Sequence, residues 1–206
     1  MRFAKIEIHL SAILFLGLCA YSGFLKEAFL FLGIFFSHEL GHLFWIKIFG
    51  GKINTIHLTG IGGIIDLEPQ ELPFWQHLFI DSGGISVNLL LALTIPQIRL
   101  PNQMQNFLIQ YNRLILGFNL FPIYPLDGFQ FLFHLLNAFF DDEYLYDLLF
   151  YVSLFFLVVL CFIAFLSKSL GLMLILVFLF SKQKVLKKLG KIAHLKYYRF
   201  LTPFLK

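Results

Sequence analysis

The chain has 206 residues, of which 59% are hydrophobic and only 14% charged, with a mean hydropathy of +0.80 and a formal net charge of +4 at pH 7. Soluble domains average about 45–50% apolar and about 25% charged residues. The composition therefore excludes a soluble globular domain, and the same bias excludes a disordered chain. Cys19 and Cys161 sit apart in apolar runs without a CxxC, which argues against a disulfide framework or a cysteine metal site.

Taken in chain order, residues 1–5 give a basic start with no small-residue cleavage pattern after it, so no cleavable leader is expected. Residues 8–25 approach the ~20 apolar residues that cross a bilayer and are read as a first span. A second span runs over about 28–49 and ends at Gly50-Gly51. The polar-rich stretch 52–76 carries two β-type runs around Thr59-Gly60-Ile61-Gly62-Gly63 and reads as a short re-entrant or β-hairpin segment. A third span, 77–95, stops at Pro96.

The fourth stretch, 106–140, is too long for one straight span and is interrupted by Pro122 and Pro125. Proline removes a helix donor and drives its predecessor out of helical geometry. In a membrane such a break is tolerated only where protein or a water-filled cavity covers it. Spans at 144–166 and 169–180 follow the acidic loop Asp141-Asp142-Glu143. The expected fold is an all-α integral membrane protein with about six transmembrane helices. Residues 1–181 form its membrane domain, and 182–206 a basic amphipathic tail.

Eight of the 16 Lys and Arg residues follow Ser181, and no Asp or Glu follows Asp147. A basic end beside a span reads as cytoplasmic and suits contact with the lipid bilayer. Six spans then place both termini in the cytoplasm of a multi-pass cell-membrane protein. The tail carries Val185, Leu189, Ile192 and Leu195 at helical spacing, opposite its lysines, as an interfacial helix would. No folded domain presents the basic patch, so no nucleic-acid partner is expected.

Ionisable groups inside a bilayer cost about 2.5–3.5 kcal/mol or more each and mark function by default. His38, Glu39 and His42 lie midway along the second span. Residues i and i+4 share a helix face, so both imidazoles can address one Zn²⁺. Glu39 sits at the edge of that face, in the position of the general base of HExxH, where it takes a proton from zinc-bound water. Gly41 leaves room for another backbone. Catalytic zinc needs a third protein ligand and an open position. Asp127, the one acidic residue of the fourth stretch, follows the proline break and is the candidate; the alternative is a helix cap. Asn119 can hold a substrate carbonyl or the broken backbone. Gly83 and Gly84 suit close helix packing, and Asn88 can bond across to another helix. His134 is read as a non-ligand.

An HExxH in a span, followed 85 positions after His42 by Asp127 in an N-x-x-P-x-x-P-L-D-G run, resembles the site-2 protease family of intramembrane zinc metalloproteases. The likeness covers about residues 34–128. Gly84–Asn88 resembles the family's G-P-x-x-N segment, with Ile85 where proline is usual. The resemblance implies a three-helix zinc protease core within about 28–140. It implies His38, His42 and Asp127 as zinc ligands, Glu39 as catalytic base and Asn119 as a substrate-positioning residue. It also implies a membrane-tethered protein substrate, such as a pro-sigma factor, and an inhibitory or regulatory membrane partner. The short chain is most similar to the bacterial stage IV sporulation protein FB branch, without that branch's CBS domain. The rival readings are a membrane metal-ion transporter and a catalytically inactive membrane-binding relative.

Overall fold

A computed structural model describes residues 5–8, 10–58, 63–67 and 72–201. The elements run β1 (Lys5–Ile8), α1 (Leu10–Tyr21), α2 (Leu25–Ile48), β2 (Ile53–Leu58), β3 (Gly63–Leu67), α3 (Phe74–Thr94), α4 (Asn102–Asn119), α5 (Asp127–Asn137), α6 (Asp142–Ser167) and α7 (Leu170–Leu201). The molecule is a helical membrane protein carrying one small sheet.

Three helices among the described residues, Leu25–Ile48, Phe74–Gln97 and Tyr144–Ser167, are long and apolar enough to cross a membrane. The full set of about six expected spans is not matched by length and composition alone. Within the first expected span, 8–25, residue 8 ends β1 and the 12 residues of α1 extend only about 18 Å against a hydrocarbon core of ~30 Å. In α4, eight of 18 residues are Asn, Gln or Arg. The sixth expected span does not stop before the basic tail but continues into it as one 32-residue helix, α7.

The chain forms two compact units, Met1–Gly117 and Phe118–Lys206. In the first, β1 pairs in parallel with β2, and β2 pairs antiparallel with β3, in the order β1-β2-β3. Helix α2 ends where Gly50 takes a positive φ of 73°. There the Gly51 N–H reaches the Ile46 carbonyl at 2.8 Å and the Gly50 N–H reaches that of Lys47 at 3.2 Å, a Schellman closure that turns the chain into β2. Helices α2 and α3 meet backbone to backbone at Gly41 and Gly83. A Cβ at Gly83 would lie 2.5 Å from the Gly41 carbonyl oxygen, and one at Gly41 would overlap the Gly83 carbonyl. With Ile85 in place of proline, α3 runs unbroken.

In the second unit, residues 120–126 separate α4 from α5. Ile123, in the middle of this break, is fully buried among Leu157, Leu160 and Ala164 of α6 and Leu176 and Leu179 of α7. A second cluster joins Phe129 of α5 to Leu145 and Leu149 of α6 and Leu186 of α7. The face of α7 that is buried carries Leu179, Gln183, Leu186 and Gly190, at spacings of four, three and four. Val185 and Ile192, expected on the membrane-facing stripe of the tail, remain exposed.

Candidate metal centre

The helical spacing of His38 and His42 brings their side chains onto the face of α2 that packs on α3, where both are buried. Their Nε2 atoms stand 3.3 Å apart. What these nitrogens offer depends on where the protons lie, and two backbone carbonyls decide that. The His42 Nδ1 lies 2.7 Å from the carbonyl oxygen of Ile80 on α3. A carbonyl only accepts, so Nδ1 carries the proton.

For His38 the argument takes three steps. The Asn112 side-chain amide donates to the Asn88 backbone carbonyl at 2.9 Å, which fixes the orientation of the Asn112 side chain. Its Oδ1 must then accept from Asn88 Nδ2, at 2.7 Å. That leaves Asn88 Oδ1 facing His38 Nδ1 at 2.5 Å, so His38 also donates from Nδ1. Asn88 and Asn112 are both buried, at 0% and 1% exposure.

In their neutral form, with each Nδ1 protonated, the two rings present Nε2 lone pairs that converge on each other. A cation between them relieves that repulsion, and the separation suits zinc. With Zn–N bonds of about 2.0–2.1 Å, nitrogens 3.3 Å apart subtend roughly 104–111° at the metal, close to tetrahedral. Oxygen acceptors on the far ring nitrogens are the usual device that orients metal-binding histidines and raises their basicity.

Gly84 makes room for this pair. A Cβ there would lie 2.5 Å from the Nε2 of each histidine. The glycines of α3 thus have separate tasks: Gly83 lets the helices approach, and Gly84 leaves the imidazoles their space.

The other expected residues are placed as follows. Glu39 is partly buried on α2, about 100° round the helix from His38. Asn119 closes α4, partly buried, just before the break. Asp127 opens α5 and is partly buried. Gly128 behind it permits close packing on the turn, since a Cβ there would lie 2.6 Å from the Leu120 carbonyl oxygen and 2.7 Å from that of Phe121. Asn112 was not singled out by the sequence, because it is one of eight Asn, Gln or Arg residues in α4 and nothing local marks it as buried. Ser153 and Gln183, both buried, were also passed over.

No protein-family model matches the sequence. Over 137 residues the chain is 34% identical to a zinc metalloprotease of Methanocaldococcus jannaschii, covering 60% of this chain and 40% of that protein. Over 138 residues it is 29% identical to stage IV sporulation protein FB of Bacillus subtilis, covering 65% of this chain and 48% of that protein. The chain thus spans less than half the length of these curated relatives. Its fold matches the solved site-2 protease from Methanocaldococcus jannaschii with a TM-score of 0.68 at 23% identity, over 89% of this chain and 92% of that one.

Proposed function

We propose that this chain, a relative of the site-2 proteases, is a zinc-dependent intramembrane metalloendopeptidase that hydrolyses a peptide bond in or near a transmembrane segment of a membrane-tethered protein. The observation that carries the reading is the His38–His42 pair on a membrane-length helix, with each Nδ1 proton committed to an oxygen and the Nε2 atoms converging at 3.3 Å. The names of both relatives given above, one of them a zinc metalloprotease, support it.

In this reading His38 and His42 hold the zinc with Asp127, an acidic residue placed at the opening of α5 by a break the membrane does not otherwise favour. These three residues would hold the metal and leave it open to water. When bound, zinc supplies Lewis-acid polarisation and an acidified water. Glu39 takes the proton and returns it to the leaving amine. Asn119 holds the substrate backbone by its amide. The substrate must unwind locally, because a helical amide is shielded by its own hydrogen bonds. The cations after Ser181 support a cytoplasmic C-terminus, and the six spans read from the sequence would bring the N-terminus to the same side. No observation favours the transporter or inactive-relative readings.

The test is cleavage of a library of single-span fluorogenic peptides by the full chain in liposomes. Zinc-dependent cleavage by the wild type, reduced at least ~10²-fold in Glu39→Gln, is expected. Equal cleavage by both proteins would overturn the proposal.

A further inference from the structure

Beyond Leu120, the break between α4 and α5 has four N–H groups, on Phe121, Ile123, Tyr124 and Leu126, because Pro122 and Pro125 have none. Three of them find backbone carbonyls. Phe121 donates to Phe118 at 3.1 Å, Ile123 to Phe121 at 2.8 Å and Leu126 to Ile123 at 2.8 Å. The fourth, Tyr124 N–H, donates to the Ser153 hydroxyl of α6 at 3.2 Å. Ser153 passes its own proton to Gln183 Oε1 on α7 at 3.1 Å. The Gln183 amide then donates to the Tyr124 carbonyl at 3.2 Å, and to the Leu179 carbonyl at 3.4 Å.

The result is a closed circuit around one residue of the break. Tyr124 gives its N–H to α6 and accepts at its carbonyl from α7, while Ser153 and Gln183 satisfy each other. Ser153 is 0% exposed and Gln183 5% exposed, so the circuit lies in the apolar interior. Leaving any of its members unpaired there is costly. The circuit therefore selects one backbone path for the break, and three residues beyond it lies Asp127. The Leu126–Ile123 turn and the close approach at Gly128 transmit that path to the first turn of α5.

We infer that Ser153 and Gln183 are positioning residues for the proposed third zinc ligand, holding the Tyr124 peptide so that Asp127 enters α5 at a fixed place. The inference rests on the proposed role of Asp127 and adds to it that metal affinity is set in part from α6 and α7, which contribute no ligand. An apolar pair at the two positions would fill the same space but leave the break free to take other paths.

The experiment is zinc affinity by chelator competition on the full chain in detergent, with thermal unfolding measured alongside. The proteins are wild type, Asp127→Ala, Gln183→Leu, Ser153→Ala and Leu176→Ala. Leu176 shares the apolar cluster that buries Ile123 of the break but takes no part in the circuit, so its variant loosens the packing without removing a hydrogen bond. Removing a group that orients a metal ligand typically costs 10–100-fold in metal affinity. A loss of that size is expected in Gln183→Leu and Ser153→Ala while each remains folded, with Leu176→Ala near wild type. Should Gln183→Leu fail to fold, Ser153→Ala decides. Wild-type affinity in the folded circuit variants, with Asp127→Ala impaired, would overturn this inference and leave the zinc reading intact. An equal loss in Leu176→Ala would reduce the circuit to a structural role and also overturn it. Undiminished affinity in Asp127→Ala would remove the premise itself.

Discussion

Gly41 and Gly83 face each other across the α2–α3 contact, each backbone occupying the space a Cβ on the other would need. The contact fixes the distance at which His38 and His42 of α2 reach the acceptors on α3. Gly33, on the same helix, has nothing within 4 Å of where its Cβ would be.

Substitution by alanine should therefore act with opposite sign at these positions. Gly41→Ala and Gly83→Ala force the helices apart and should destabilise by about 1–3 kcal/mol. Gly33→Ala should be neutral or stabilise by up to about 1 kcal/mol, since glycine costs that much in a helix interior. Thermal unfolding in detergent checks both signs.

Gly84→Ala should separate metal binding from folding. Its new methyl group would crowd the Nε2 of both histidines rather than the backbone of α2. Zinc binding should fall more than 10-fold in protein that remains helical by circular dichroism. Full zinc binding in this variant would mean that the metal, if present, lies elsewhere.

Asn112→Leu should weaken zinc although Asn112 touches neither histidine in the hydrogen-bond chain. Without it, Asn88 loses the partner that turns its oxygen toward His38. A drop of about 10–100-fold in zinc affinity is expected, together with about 1–3 kcal/mol of stability from the buried Asn88 amide left unsatisfied. Arg113→Ala, at the adjacent exposed position, should change neither. Chelator competition and unfolding curves distinguish the two.

Glu39→Gln should retain zinc but lose turnover. The side chain keeps its size and loses only its capacity as a base, so metal content should match wild type while cleavage falls about 10²–10⁴-fold. Loss of zinc in this variant would assign Glu39 to the ligand set instead.

Much of this site could be read in the sequence because the bilayer makes polar residues conspicuous. His38 and His42 stood out by helical spacing, and Gly41, Gly83 and Gly84 by their size; the structure gives each of these glycines a definite contact to avoid. What escaped was relational. Asn112 matters only through the amide of Asn88, and no local pattern links residues 24 positions apart. Gln183 lies between Lys182 and Lys184, so it read as part of a basic tail rather than as a buried group. The bounds of the outer helices differ from the hydropathy reading for a related reason. Hydropathy cannot see that residues 5–8 pair with β2, or that α7 continues through the change from apolar to basic residues. The face of α7 that is buried was set by the fit of Leu186 and Gly190, the latter 3.3 Å from the Tyr146 Cβ were it alanine, and not by the most apolar stripe.

The most direct test of the central claim is zinc content per chain in full-length protein purified in detergent under zinc-replete conditions, wild type beside Asp127→Ala. The account predicts one zinc per wild-type chain and a marked loss in the variant, joining two distant motifs in one metal site. A wild type that binds no zinc, or a variant that binds as much as the wild type, would contradict it.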